Sequence, residues 1–435
     1  MTGRILRMAL AAGLACMVLL SSSCRHYRTQ GPSFVLFILD SARADHFGCY
    51  GYPRNTTPTI DSLAAAGTIF VNAQSQAPWT LPAVTSILTG LVPQVHGAGS
   101  IHGVLHGLDA GVPVVQQLMQ RAGYHTFGQF CIPWLGPEFG YDRGFDGYYV
   151  RTGRALTGII DESGDHLSEW LSTVPPDQQF FAVIHVFEMH NPFTPSPPYD
   201  TMFLDPADSV WTGVTSFEVD DQNRLLHPEE AHYLISQYDG EIAMADAGIA
   251  RMIAMLRAAG RADDTVFIIV ADHGEEFAER GGYDHGHTLY QEMLHVPLVF
   301  CGPGVPRGEA RSDVVGQTDI TPTILALAGA PPSHPCNGID LFSGSVPDRV
   351  IPSGMTMEGI LSAVRHGDTK LVLDSGSETL QTFDLATDPG ETHPLPADSV
   401  LVDSLMKYVT MKPIGNREVV LDEDASRALH DLGYI

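Results

Sequence analysis

Lysine is nearly absent from this 435-residue chain: Lys370, Lys407 and Lys412 are the only three, and none precedes residue 370. Lysine and arginine together number 24 against 51 aspartates and glutamates, a formal charge of −27. So acidic a chain excludes duplex nucleic acid as a partner, because neutralising phosphates needs a basic face. Cysteine is scarce as well, with 6 in the chain. Their irregular spacing gives no metal pattern. What the chain has is apolar material: 44% of residues are hydrophobic and 17% charged. That is enough for a large core and excludes global disorder. At roughly 150 residues per domain, the length predicts two or three units, or one large α/β domain with an appendage.

Arg4 and Arg7 precede an apolar run from Met8 to Leu20, and Ser21, Ser22 and Ser23 lead to Cys24. The run is shorter than the about 20 residues that span a bilayer. Residues 1–24 therefore read as a signal or lipoprotein segment, although Ser21 stands where such cleavage sites usually carry leucine. The expectation is an exported protein of the periplasm or cell envelope, tethered to the membrane through Cys24. An uncleaved anchor is the competing reading. Cys49, Cys131, Cys301 and Cys336 would remain after processing, and they read as buried free thiols, with disulfides the alternative.

Phe34 to Leu39 is a continuous apolar run that stops at Asp40, as a strand buried on both faces would. Similar runs cover Phe180 to Phe187, Thr265 to Ala271 and Pro297 to Cys301. Helical patterns fall between them, at Thr59 to Ala66, Val114 to Ala122, Glu229 to Ala259 and Ile320 to Ala328. The alternation predicts an α/β fold, with a mostly parallel sheet sandwiched by helices over residues 25–345. Residues 346–435 read as a small C-terminal α+β subdomain with a hairpin, Lys370 to Leu373 and Leu380 to Leu385, and a last helix near Asp422 to Leu432. Parallel sheets place ligands beyond the carboxyl ends of their strands. Asp40, Asp272 and the His185 to His190 segment all stand there.

Three segments carry chemistry. Asp40 follows a buried strand directly, where an acid is costly unless paired, ligated or used as an N-cap. Asp272 and His273 do the same, and Gly274 after them permits a sharp turn. A solvated acidic loop is the plainer alternative there. In the third segment, Pro82 suits the first turn of a helix running to Thr89, with Thr80 just ahead of it. A hydroxyl in that positive field is either an ordinary cap or a nucleophile.

The stretches LDSARADHFGCYGYPRNTTPTIDSLAAAG, WTLPAVTSILTGLVPQVHG, VADHGEEFAERGGYDHGHTLYQEMLHVPLVF and FDLATDPGE resemble, in order, the sulfatase family of the alkaline phosphatase superfamily. The resemblance implies a metal-dependent esterase with a large α/β domain and a small C-terminal one. It implies that Asp40, Asp272 and His273 bind one divalent metal, with Thr80 in the nucleophile position, and that His190 contacts the anionic group of the substrate. The chain also departs from the family pattern. Thr80 stands where sulfatases carry the Cys or Ser that becomes formylglycine, and Val84 replaces the arginine of that pattern. Oxidised threonine would be a ketone, so no formylglycine is expected. Ser41 replaces a second metal carboxylate, and both active-site lysines are missing. The Asp, Thr, Asp and His set is similar instead to the threonine-dependent members, lipoteichoic acid synthases and phosphoethanolamine transferases. Imidazole in the set favours zinc or manganese over calcium or magnesium.

Among the histidines, His285 or His287 is expected to take the place of a lysine, and the two are not separated. His185, inside an apolar run, reads as a satisfied core residue. His46 and His96 have weaker claims. Arg43 is expected to be either the remaining cation over the site or a surface or capping residue. Gly140 to Gly147 matches a family loop and reads as structural. A pocket with so few cations suits a monoanion, either a phosphodiester or a sulfate ester. The expected activity is therefore that of a hydrolase or transferase acting through Thr80 on an anionic ester of a small molecule, lipid headgroup or glycan, with phosphodiester or phosphoryl-group substrates favoured. A sulfuric ester hydrolase using unmodified threonine is the first alternative. A binding lipoprotein without catalysis is the second.

Overall fold

The computed structural model describes residues 31–101, 104–151, 159–205, 228–330, 335–355, 357, 361–415, 417–421 and 423–431. The segment read as an export signal and lipid-attachment site lies outside the described residues. Ser33–Leu39 (β1) is buried along its whole length. Removing its six large apolar side chains from water is worth on the order of 10 kcal/mol, which only the centre of a doubly covered sheet provides. Thr68–Gln74 (β2), His125–Phe130 (β3), Gly147–Val150 (β4), Phe180–Val186 (β5), Thr265–Ala271 (β6), Leu298–Cys301 (β7) and Glu309–Gly316 (β8) complete the sheet, in the order β8-β2-β7-β6-β1-β5-β3-β4. β7 alone in this sheet runs against its neighbours. β1, β5 and β6 are thus three adjacent parallel strands with a common carboxyl edge.

Pro58–Ala66 (α1), Thr80–Thr89 (α2), Val115–Arg121 (α3), Ile159–Leu171 (α4), Pro228–Ala258 (α5) and Ile320–Leu327 (α6) contribute to the same core as the sheet. α2 is buried at every residue and stops at Gly90, whose φ of +69° is the left-handed conformation that glycine adopts without strain. Among the described residues no helix is long and apolar enough to cross a membrane. Cys49, Cys131, Cys301 and Cys336 are free thiols.

Ile351–Gly354 (β9), Leu361–His366 (β10), Thr369–Asp374 (β11) and Thr379–Asp384 (β12) form a second, antiparallel sheet in sequence order. Leu373 stands opposite Leu380 in its hairpin. Ser399–Val409 (α7) starts where the Asp398 side chain accepts from the amides of Val400 and Leu401, and buries Leu401, Leu405 and Tyr408 against Val364 and Leu371. The tail then leaves this unit. Arg417–Glu418 pairs with Val104–Gly107, and Leu429 enters the large core, so the end of the chain packs back on the part from which the sequence divided it.

The smaller sheet also reaches the carboxyl edge of the larger one. The Ser353 hydroxyl donates to the carbonyl of Ser75 at 2.6 Å, and the Gly354 amide to that of Gln76 at 2.9 Å. Beyond β9, the Met355 carbonyl accepts from Trp79 Nε1 at 2.7 Å, and the Met357 amide donates to the Gly286 carbonyl at 2.9 Å. One segment of the smaller unit therefore bridges the start of α2 and the loop that carries His285.

Candidate active site

Parallel pairing decides which side chains meet. Leu39 stands beside Val186 on one neighbour and Ala271 on the other. The ladder runs one step further, because the Asp40 amide donates to the Val186 carbonyl and the Asp272 amide to that of Leu39. Asp40 and Asp272 are therefore side by side on one face. His185 pairs with Ile38, two residues before Asp40, and alternation puts it on that same face. His185 Nε2 lies 3.1 Å from Asp40 Oδ2. His185 is thus a core histidine, as expected, and the acid it touches is one of the two that end the strands. The signal was there to be read, since an imidazole inside a run buried on both faces needs a polar partner.

Ser41, at φ +56°, turns the chain sharply after Asp40 and aims its amide at Asp272 Oδ1, at 3.1 Å. The Ser41 hydroxyl donates to Asp40 Oδ1 at 2.9 Å, so the residue in place of the second family carboxylate serves the first. Gly274 is needed for a reason other than the expected turn. A Cβ there would lie 1.9 Å from the Glu292 carbonyl, so the position demands close backbone approach. Ser75 and Gln317 latch the turn from behind, each donating to the Asp272 carbonyl at 2.5 Å.

Thr80 is the first residue of α2 rather than the one ahead of it, and it does not cap the helix. Its hydroxyl donates to Asp40 Oδ2 at 3.4 Å and stands 3.4 Å from His273 Nε2. His273 Nδ1 lies 2.8 Å from the Gly274 carbonyl, which only accepts, so the proton is on Nδ1 and the Nε2 lone pair points inward. That lone pair faces Asp272 Oδ2 at 3.5 Å and Asp40 Oδ1 at 3.8 Å. Burial, with the neighbouring His285, pushes His273 down to about 3 and keeps it neutral. Burial and the charge of Asp40 hold Asp272 well above the usual carboxylate range, and its Oδ2 has no hydrogen-bond partner among the described residues. Against burial, His185, His190 and His273 hold Asp40 well below that range. The Nε2 lone pair of His273 thus faces oxygens of both aspartates, and ligand atoms of Asp40, His185 and Asp272 all lie within 4.8 Å of one another. Two carboxylates, two imidazoles and a hydroxyl fit a divalent cation.

Opposite this group, the His190 ring stacks on Phe187 at 4.4 Å and lies 5.1 Å from the His285 ring. Its Nδ1 donates to the Asn191 carbonyl at 2.7 Å, and burial pulls its pKa down. The His285 ring is 4.4 Å from that of His273. Although burial opposes it, the carboxylates of Asp284 and Glu275 hold His285 well above the ordinary imidazole value. His287 goes elsewhere: its Nε2 lies 3.0 Å from Glu276 Oε2, and its side chain is 38% exposed. The structure so separates two histidines that the sequence left together. Arg43 is not brought to the cluster. Its guanidinium donates to Asp45, Glu279 and the Glu275 carbonyl, which makes it a clamp on the loop after β6. His96 bonds Ser86 within α2, and His46 pairs with Asp239.

A family model described as Sulfatase matches residues 32–330. The chain is 25% identical to the uncharacterized sulfatase YidJ of Escherichia coli (strain K12), over 87% of each chain. It is 23% identical to the Delta 4,5-hexuronate-2-O-sulfatase of Bacteroides thetaiotaomicron, over 93% of this chain and 94% of that one. Among solved structures, the phosphonate monoester hydrolase of Agrobacterium radiobacter superposes with a TM-score of 0.69 at 19% identity, over 87% of this chain and 94% of the other.

Proposed function

The chain belongs to the sulfatase family, and from that premise we propose that it is a metal-dependent hydrolase of monoanionic esters that uses Thr80, unmodified, as its nucleophile. Sulfate monoesters, phosphonate monoesters and phosphodiesters share a single negative charge on the group transferred. That charge is what this pocket suits, with one imidazole held well above its ordinary value by the carboxylates of Asp284 and Glu275. Sulfate esters, of a sulfated glycan or a small molecule, are the first reading, supported by the family and by the activity named for the Bacteroides relative. Phosphodiesters or phosphonate monoesters are the second, supported by the threonine in place of the formylglycine precursor and by the fold shared with the Agrobacterium hydrolase. Export and a lipid tether at Cys24 belong to the proposal, on the strength of the N-terminal sequence alone.

Asp40, Asp272, His273 and Thr80 would hold the metal, with His185 beside them; zinc or manganese suits this mixed oxygen and nitrogen set. When bound, the ion supplies Lewis-acid stabilisation of oxygen anions. The rest falls to the chain. Asp40 Oδ2 orients the Thr80 hydroxyl, which gives its proton to water as Thr80 Oγ1 bonds to sulfur or phosphorus and the ester oxygen leaves. His285 protonates that leaving oxygen, and His190 lies against it to bind the anionic oxygens. Water then cleaves the threonyl ester, and Thr80 and His285 recover their protons.

The observation that carries this reading is the buried Thr80 hydroxyl, which caps no helix end and lies 3.4 Å from both Asp40 and His273. Thr80→Ala should lose about 10⁴-fold or more in turnover, while Thr80→Ser keeps part of it. Rates on aryl sulfates, aryl phosphonates and aryl phosphodiesters, measured together, rank the two readings. Undiminished turnover in Thr80→Ala would sink the nucleophile.

A further inference from the structure

The chain reaches Thr80 through the stretch from Ser75 to Trp79, and the smaller unit holds that approach at successive points. Ser353 and Gly354 bond the carbonyls of Ser75 and Gln76, and Trp79 Nε1 donates to the Met355 carbonyl at 2.7 Å. Trp79 is 1% exposed and stands at the N-cap position of α2, directly before Thr80. Its side chain does not cap the helix; its hydrogen bond goes to the other unit instead. The indole is set edge-on against Trp134, ring centres 5.9 Å apart, and the Trp79 carbonyl accepts from the Ala83 amide at 3.3 Å. Side chain and backbone of Trp79 are therefore both tied, one to the smaller unit and one to the first turn of α2.

Met355 makes its bond at φ +60°, in the left-handed region that a bulky residue rarely enters. Its surroundings hold it there. The Gly354 amide before it is bonded to Gln76, the Met357 amide after it is bonded to Gly286, and Met355 Sδ lies over Gly99, where an added Cβ would clash with it. An ordinary φ would swing the Met355 carbonyl away from Trp79. Strain kept in place by its neighbours tends to sit where geometry serves function. We infer that Met355 is a positioning residue for the nucleophile: its carbonyl anchors the Trp79 indole, which fixes the direction in which α2 starts and so holds the Thr80 hydroxyl 3.4 Å from Asp40 Oδ2 and His273 Nε2. This rests on Thr80 being the nucleophile, and it makes the smaller unit a part of the site. Neither Trp79 nor Met355 touches the ester.

Substitutions at φ +60° separate a carbonyl that positions from a side chain that packs. Met355→Val keeps an apolar side chain, but a β-branched residue resists that φ, whereas Met355→Asn loses the apolar contact and adopts it readily. The readout is kcat and KM on an aryl ester, per folded chain as taken from melting curves. Met355→Val should lose about 10-fold or more in kcat at an unchanged KM, and Met355→Asn should recover most of that loss. Trp79→Phe, which keeps a ring and removes the donor, should lose about 10- to 100-fold in kcat. Adding Met355→Val to it should cost little more. A packing role predicts the reverse order at Met355, with Asn worse than Val. That order, or Trp79→Phe at the wild-type rate, overturns the inference. If Trp79→Phe does not fold, the two Met355 variants decide. Thr80→Ala tells the two readings apart. If it is inactive while Met355→Val is unimpaired, only the positioning role fails; if it keeps full turnover, the nucleophile and its positioning residue fall together.

Discussion

Asp40 and Asp272 end adjacent strands at the centre of the sheet, whereas Glu275 and Asp284 sit on the loop that follows one of them. Both pairs face imidazoles, yet the outcome is opposite. Around the first pair, the nitrogen that points inward is the deprotonated Nε2 of His273, and Asp272 Oδ2 is left without a donor. Around the second, the inward nitrogen is the protonated Nδ1 of His285. On the proposed reading, one half of the site is completed by a cation. On the same reading, the other carries its positive charge as a proton on His285. The strand ends, fixed by ladders on both sides, supply the convergent geometry that a metal demands. In the proposed reaction, the loop supplies the group that gives up and recovers a proton.

The sharpest way to break this contrast is to change one acid on the strand side. Asp272→Asn should lose bound metal, read by elemental analysis, and about 10³-fold in turnover. Asp284→Asn should keep its metal. Equal metal loss in both variants would mean that the halves are not distinct. A smaller effect separates two histidines that are neighbours in sequence. His285→Ala should cost about 10²-fold on a poor leaving group, and His287→Ala, which loses only a rim contact with Glu276, about threefold or less. Smaller again, His185→Gln should weaken metal affinity by about 10-fold, measured by competition with a chelator. No change there would return His185 to the core.

These residues also show what could be read before folding. Asp40 and Asp272 announce themselves, because each ends a run of apolar residues that only a doubly buried strand tolerates. Thr80 is marked by Pro82, although its place inside the helix was one residue off. The partner of His185 is not legible locally, because it depends on register: only the pairing of β5 with β1 sets the ring beside Asp40. His285 and His287 share one polar, glycine-rich loop, and nothing local says which of them turns inward. Arg43 was open between a cation for the site and a surface or capping residue, and Asp45 and Glu279, the latter brought near only by the fold, occupy it. The same limit applies to the strands. β3, as HTFGQF, and β8, as EARSDVVG, lack the continuous apolar run of β1, lie nearer the sheet edges and escaped notice.

A third buried acid tests whether belonging to neither half has a signature of its own. Glu188 follows β5 and precedes His190 by two residues. Its Oε1 accepts from the Ile160 amide at 2.5 Å and its Oε2 has no partner among the described residues. Burial pushes its carboxyl up to about 7 from 4.5. Between those values the native chain keeps a proton that the unfolded chain has released, so the native state binds more protons there and stability falls as the pH rises. The contribution is whole below the unfolded value and gone above the folded one. Melting temperatures taken at about pH 5 and about pH 8 should therefore drop more for the wild type than for Glu188→Gln, which has nothing to ionise. Turnover should stay within about threefold, because a surface or core change away from the reacting atoms alters stability before chemistry. An unchanged slope would mean that another group carries the pH dependence. A large loss of turnover would draw Glu188 into the loop half of the site, through His190.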